Sequence, residues 1–527
     1  MQPELLETLK NTTKSGFFSR DELEQRNQVL VVENLRLVRE NYELRNQQLT
    51  VDQLLLVARE QLESQRHEQF GPSSERYPGP IKASDGESGG RDPKPPVSRR
   101  KSLRERYPNI PTRTEVVRLD SAPSCPCCGK LMLESGMMEE SEQLTVIPKK
   151  YEIVKILRPK HRCVCQGAIV TTPATPRIIP GSSYSDEVIL DVALSKYCDL
   201  IPIGRYSAMA ERGGLKGLPP QSLIELTHSL ADFLSPAYRR IKAGVLKSRV
   251  LHADETPHKM LEGSDKKSWY LWGFSTPHQT FFECHDTRSG DVASEVLVES
   301  RCEVLVSDVY SGYGKAVRVA NEIRRAEART PIASAYCNAH ARRYFHKSWP
   351  HYPETKFYLD HYHWIYELEA KGRGQPPPRV LELRAEIRTR LDAMRAKALE
   401  ELPRYPEQSK YAKALNYFLS NWDGLTLFLT DPEVPIDNNP QERLLRSHVV
   451  GRKTWYGTHS ERGALTAAVL FTLVETCKLN EINPREYFAL LVSDLHAGNP
   501  VITPYEFKQV ELADVAAAAL KKTPAAE

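Results

Sequence analysis

Leucine or valine recurs every seventh residue at Leu23, Leu30, Leu37, Leu44 and Val51. Val31, Leu35, Val38, Tyr42, Leu49 and Leu56 widen the same face, and charged and amide residues fill the gaps. A stripe of that length predicts a coiled-coil helix within residues 1–70, through which copies of the chain associate. Asn27, Asn34 and Asn41 keep the same spacing and would form polar layers that set register. The periodicity then stops. Residues 71–113 are rich in Gly, Pro and Ser and turn basic through Arg91, Lys94, Arg99, Arg100, Lys101, Arg104 and Arg106. This composition predicts a linker that can lie along a phosphate backbone.

Residues 181–247 return to a helical pattern. Arg205, Arg212 and Lys216 near a Gly-Leu turn suit a small helix-turn-helix-like element, which would connect domains or contact DNA. The period changes again at VLHADETPHK, SWYLWGFST, QTFFECHDT and EVLVSDVYSGY, short β-branched and aromatic runs with one helix-like stretch, DVASEVLVES, before the last. Three strands, a helix and a fourth strand follow the order of a ribonuclease-H-like sheet, in which the first and fourth strands lie side by side. The expected fold class is therefore an α/β catalytic core of that type, formed by residues 248–337 and 437–485. Helical patterns such as HWIYELEAK and PRVLELRAEIRTRLDAMRAKALEEL make residues 338–436 an all-helical insertion, and residues 486–527 read as a C-terminal tail.

That strand order gives two aspartates a meaning. Asp254 ends the first run and Asp308 the fourth, so adjacent parallel strands would bring both carboxylates to one sheet edge. Neighbouring carboxylates repel unless a cation sits between them. A hard divalent ion, Mg²⁺ or Mn²⁺, prefers such oxygen ligands. Glu442 stands in DNNPQERLLR, where Asn439 suits an N-cap, Pro440 the first helical position and Glu442 the third, a capping glutamate on local grounds. The same helix start, laid against the strand ends, would supply a third carboxylate. Two ions so held would activate a hydroxyl and stabilise the leaving oxygen of a phosphoryl displacement. Arg446, Arg452 and Lys453, interleaved with Trp455 and Tyr456, are candidate DNA contacts, as are Arg342 and Arg343 in NAHARRYF.

Half of the ten cysteines lie between Cys125 and Cys165. Cys125 and Cys128 have C-x-x-C spacing followed by Gly129, and Cys163 and Cys165 form a shorter C-x-C pair. Four soft ligands on two knuckles predict a structural zinc in a zinc-ribbon-like, DNA-binding domain at 114–180, with Cys127 or His161 as alternative ligands. Formal net charge is +4 and pI about 8.4, so affinity for nucleic acid has to come from local clusters. The absence of a long apolar run or a leader pattern predicts a cytoplasmic, nucleoid-associated protein with no membrane partner.

LHADETP, LVSDVYSGY, CNAHARRYF and DNNPQERLLRSHVVGRKTWYG resemble the transposases of the insertion-sequence-66 (IS-66) group, of the DDE class. FGPSSER, CPCCGK and LSKYCDLIPIGR resemble the same family in the same order, so the likeness spans most of the chain. It implies a ribonuclease-H-like core with a helical insertion, two bound Mg²⁺ ions and Asp254, Asp308 and Glu442 as the catalytic triad. It also implies double-stranded DNA partners, namely terminal inverted repeats and target DNA, together with accessory proteins of the same element. The second cysteine pair departs from the family pattern, which has C-x-x-C there. Rival readings are a nuclease or junction resolvase on the same sheet, or a DNA-binding repressor with an inert centre.

Overall fold

The computed structural model describes residues 168–261 and 268–512 throughout, residues 102–162 with interruptions, and scattered positions between 25 and 58. The chain divides into two compact units, one of residues 1–80, 176–203 and 221–527, the other of residues 81–175 and 204–220. Of the heptad positions, Leu30 and Leu37 are described; both are helical and exposed. The remainder of the leucine stripe, and most of the linker, lie outside the described residues. Among the described residues, no helix is long and apolar enough to cross a membrane.

In chain order the elements are β1 (Lys160–Arg162), β2 (Ile169–Thr171), α1 (Asp186–Tyr197), α2 (Ile203–Arg212) and α3 (Pro220–Leu246), then β3 (Val250–Lys259), β4 (Ser268–Ser275) and β5 (Thr280–His285). Next come α4 (Gly290–Glu299), β6 (Val304–Ser307), α5 (Ser311–Ala326), β7 (Ala333–Tyr336) and α6 (Asn338–Ser348). The chain continues through α7 (Thr355–Lys371), α8 (Pro377–Glu401), α9 (Lys410–Ser420), α10 (Asn439–Trp455), α11 (Glu461–Leu479) and α12 (Pro484–Ala497).

β1 and β2 pair antiparallel in the smaller unit, which also holds nearly all of α2. The larger unit is built on a five-stranded sheet of order β5-β4-β3-β6-β7. β3, β4 and β5 form an antiparallel meander, whereas β3–β6 and β6–β7 pair in parallel. The short runs alternate turns and β-branched residues, which allows the meander; the two parallel pairings need the crossover helices α4 and α5. Arg324, buried on α5, donates to the carbonyls of Leu297, Ser300 and Cys302 and so places a cation at the C-terminal end of α4. β5 is an edge strand, and α11 covers it: Thr472 Oγ1 accepts the Phe282 N–H at 2.9 Å and Thr476 Oγ1 donates to the Thr280 carbonyl at 3.1 Å.

The residues between β7 and α10 are helical, as the sequence pattern indicates. Their core is continuous with the sheet: Tyr358, Tyr362, Ile387, Met394, Tyr411 and Phe418 cluster with Val250, Val304, Val306 and Ala335 of β3, β6 and β7. One expectation changes. The C-terminal tail of 486–527 is not a tail over its described part, because α12 packs on α1, with Arg485 bonded to Asp191 at 2.9 Å and His496 to Asp186 at 2.8 Å. Within residues 181–247, α1 is a core helix, burying Ile189, Leu190, Val192 and Leu194, while Arg205, Arg212 and Lys216 are exposed on and just after α2. Both placements have one cause. Apolar residues on α1, α11 and α12 complete one another's burial, which a window confined to any one helix does not reveal.

Candidate active site

The parallel register of β3 and β6 pairs Val250 with Val304, Leu251 with Leu305 and His252 with Val306. Asp254 and Asp308 each stand two residues beyond the last of these pairs, so the strands deliver them to the same sheet edge. Asp254 is half-buried, and its carboxyl is pushed up to about 8, first by burial and then by the charges of Glu255, Glu442 and Asp308. Its Oδ1 accepts the Glu255 N–H at 2.9 Å, and Asp308 Oδ1 accepts the Tyr310 N–H at 3.0 Å. Sequence reasoning missed Glu255, the fourth carboxylate of the group. Its side chain is only 2% exposed, paired with Arg288 Nη2 at 2.7 Å and accepting the Tyr313 hydroxyl at 2.5 Å. Arg288 also lies over the Tyr310 ring, 4.1 Å from its centre, and closes that side of the site.

Glu442 arrives on α10. The helix begins one residue earlier than the local pattern indicates: Asn438 is the N-cap and Pro440 lies in the first turn. Glu442 consequently sits past the capping position, and its Oε1 is buried without a hydrogen bond. The capping-box reading therefore fails, and the carboxylate is left for other use. Asn438 instead ties α10 to the aspartate strand: its Oδ1 meets His252 Nδ1 at 2.8 Å and its Nδ2 donates to the Ala253 carbonyl at 2.8 Å. Gln441, fully buried, lies on Gly273 of β4, where a Cβ would stand 2.2 Å from its Nε2. The glycine lets the helix approach the sheet. Among the described residues the ligand atoms of Asp254, Asp308 and Glu442 do not all lie within 4.8 Å of one another; those of Cys337, His340 and Glu442 do.

Basic groups stand beside Glu442 and along α10. Arg343 Nη2 lies 4.0 Å from Glu442 Oε2, and Arg342 lines a neighbouring cleft of about 440 Å³ with His363, Glu367 and Asn439. Arg446 and Lys453 are exposed on α10. Arg452 is engaged differently, donating to the Pro257 carbonyl and bracing α10 against β3. Trp455 is also committed, holding the Lys196 ammonium 5.2 Å from its ring centre, whereas Tyr456 is 69% exposed and held at φ +70°. Below the helix, His258 and His448 stack with ring centres 5.1 Å apart. Burial pushes His258 down to about 4 and His448 well below the usual imidazole range.

In the smaller unit, Cys125 and Cys128 occupy a tight turn. Cys125 N–H donates to the Lys130 carbonyl at 2.8 Å, Gly129 N–H returns to the Cys125 carbonyl at 2.9 Å, and Gly129 takes φ +71°. Backbone amides of Cys127 and Cys128 turn toward the Cys125 sulfur and hold its thiol below the usual range. This is the chemistry a metal thiolate needs. Cys163 and Cys165 lie outside the described residues, between β1 and β2; His161 is exposed on β1.

Gathered carboxylates at a sheet edge, exposed cations on the adjoining helix and a separate cysteine knuckle are the parts of an enzyme that processes DNA. A family model described as "Transposase IS66 family" matches residues 181–466, and one described as "zinc-finger binding domain of transposase IS66" matches residues 123–166. The chain belongs to the IS66 transposase family. It is 27% identical over 451 residues to the uncharacterized protein y4hP of Sinorhizobium fredii (strain NBRC 101917 / NGR234), covering 80% of each chain. It is also 27% identical over 421 residues to the uncharacterized protein y4qI of the same organism, covering 75% of each.

Proposed function

We propose that the chain is a DDE transposase that cleaves the ends of its element and joins them to target DNA at a centre formed by Asp254, Asp308 and Glu442. The observation that carries this reading is the parallel β3–β6 register, which sets both aspartates at one edge; burial first, and then the charges of Glu255, Glu442 and Asp308, push the Asp254 carboxyl up there. The order of the sheet, three antiparallel strands and then two parallel additions, supports a ribonuclease-H-like core running through residues 248–337 and 437–485. The all-oxygen donor set fits hard divalent ions, Mg²⁺ or Mn²⁺, and crowded carboxylates need such a charge. When bound, these ions supply the positive charge that activates a water or 3′-hydroxyl and stabilises the leaving oxygen of an in-line displacement.

The chain's own residues do the positioning. The amides of Glu255 and Tyr310 orient the two aspartates, and Asn438 and Gln441 hold the start of α10 against their strands. Arg343 limits the charge on Glu442. Arg446 and Lys453 are placed to neutralise phosphates, Arg342 to meet them from the neighbouring cleft, and the exposed ring of Tyr456 to stack on an unpaired base. Cys125 and Cys128, with Cys163 and Cys165, hold a structural zinc, and the leucine stripe assembles copies of the chain on paired DNA ends. The test is a substitution series. Asp254→Ala, Asp308→Ala and Glu442→Ala should each retain binding to the element's end sequence in a gel-shift assay while abolishing strand cleavage. Normal cleavage by any of the three would remove that residue from the centre.

A further inference from the structure

Glu442 keeps company that a hard-metal triad does not require. Cys337 follows β7 as the N-cap of α6, and His340 lies one turn into that helix, so their C-x-x-H spacing turns thiol and imidazole to one side. Across from them stands Glu442. One ligand atom from each of the three lies within 4.8 Å of the others, and His340 Nε2 is 3.7 Å from Glu442 Oε1. That separation is too long for a hydrogen bond and lies about 0.4 Å beyond the roughly 3.3 Å between two ligands on a tetrahedral ion with bonds of about 2 Å, a gap that a small side-chain adjustment closes.

Two further features indicate a ligand. Glu442 Oε1 is buried and makes no hydrogen bond, and a buried polar atom without a partner costs free energy that a cation would offset. Cys337 is fully buried, and its sulfur accepts the Asn438 N–H at 3.2 Å, the kind of contact that supports a metal-bound thiolate. Sulfur, imidazole and carboxylate together suit a borderline-soft ion rather than magnesium.

We propose that Cys337, His340 and Glu442 form a site for a divalent ion of the zinc type, and that its occupation withdraws Glu442 from Asp254 and Asp308 and switches the centre off. Binding releases the thiol proton to solvent, and the fourth position is left to water. The binding half stands on this geometry alone; the switching half rests on the proposed transposase activity.

Cobalt(II) added to the chelator-treated full chain reports the site by its thiolate charge-transfer absorbance. The finger thiolates contribute equally in variants outside the finger, so the difference between wild type and Cys337→Ser isolates this site. The expected result is one additional equivalent bound by the wild type, lost in Cys337→Ser and weakened at least tenfold in His340→Gln, with both variants melting cooperatively. Equal stoichiometry and spectra in all three chains would overturn the site. In Mg²⁺-supported end cleavage, micromolar zinc should inhibit the wild type at least tenfold more strongly than Cys337→Ser, and equal inhibition would overturn the switch. A wild type that binds the extra cobalt but never cleaves DNA would refute the transposase reading while leaving the site standing.

Discussion

Replacing Asp254 with asparagine should make the protein more stable while removing its activity. The carboxyl has an ordinary value of 3.8 and is pushed to about 8 by burial and by Glu255, Glu442 and Asp308. A group raised in the folded state contributes its stability below the unfolded value and loses it as pH rises toward the folded one, here between 3.8 and about 8. At pH 7 roughly three units of that window have been crossed, which at 1.36 kcal/mol each amounts to about 4 kcal/mol against folding. Partial exposure of the side chain reduces this to about 2–3 kcal/mol. Asparagine keeps the Oδ1 that accepts the Glu255 N–H and carries no charge. In thermal melts with chelator at pH 7 to 8, Asp254→Asn should therefore melt several degrees higher than the wild type, with the gap closing toward pH 4. Added Mg²⁺ should raise the wild-type midpoint and leave that of the variant in place. A variant no more stable than the wild type, or a gap independent of pH, would refute the crowded-carboxylate account.

The remaining predictions concern the parts that position the centre. His258 and His448 are buried neutral, so their contribution is complete above the ordinary 6.5 and is lost as pH falls below it, for His258 down to about 4; urea titrations should show about 3 kcal/mol lost over that range for His258 alone. His448→Phe should flatten part of that dependence, and an unchanged profile would count against burial as its cause. Gly273→Ala places a methyl against Gln441 and Phe282, which should cost about 1–3 kcal/mol and lower cleavage by displacing α10; wild-type melting and activity would show that the close approach is unnecessary. Asn438→Ala leaves His252 and the Ala253 carbonyl without partners, with an expected loss of about 1–3 kcal/mol in denaturant titrations.

Period and order carried the sequence reading as far as Asp254 and Asp308. Three short strand-like runs, a helix and a fourth run implied that the first and fourth strands lie side by side in parallel, and the observed neighbours β3 and β6 are those two runs. What the sequence did not show depends on contacts across long separations. Glu255 joins the site because Arg288 and Tyr313 hold it, and nothing in ADET separates it from a surface glutamate. Asn438 rather than Asn439 caps α10 because its side chain is drawn to His252, 186 residues away. That Arg452 donates to the Pro257 carbonyl on β3 is likewise invisible to a local window. Cys337 and His340 carried a visible C-x-x-H signal, but Glu442 joins them only when α10 folds back beside α6.

The central claim is that the carboxylates of this sheet edge hold divalent ions for phosphoryl transfer, and Asp308→Cys tests it most directly. The substitution replaces a hard oxygen ligand with a softer sulfur at a position whose neighbours stay in place. On DNA carrying the element's own ends, the wild type should cleave and join with Mg²⁺, while Asp308→Cys should be inactive with Mg²⁺ and recover strand cleavage with Mn²⁺. Cleavage by Asp308→Cys at the wild-type rate with Mg²⁺ would contradict the claim.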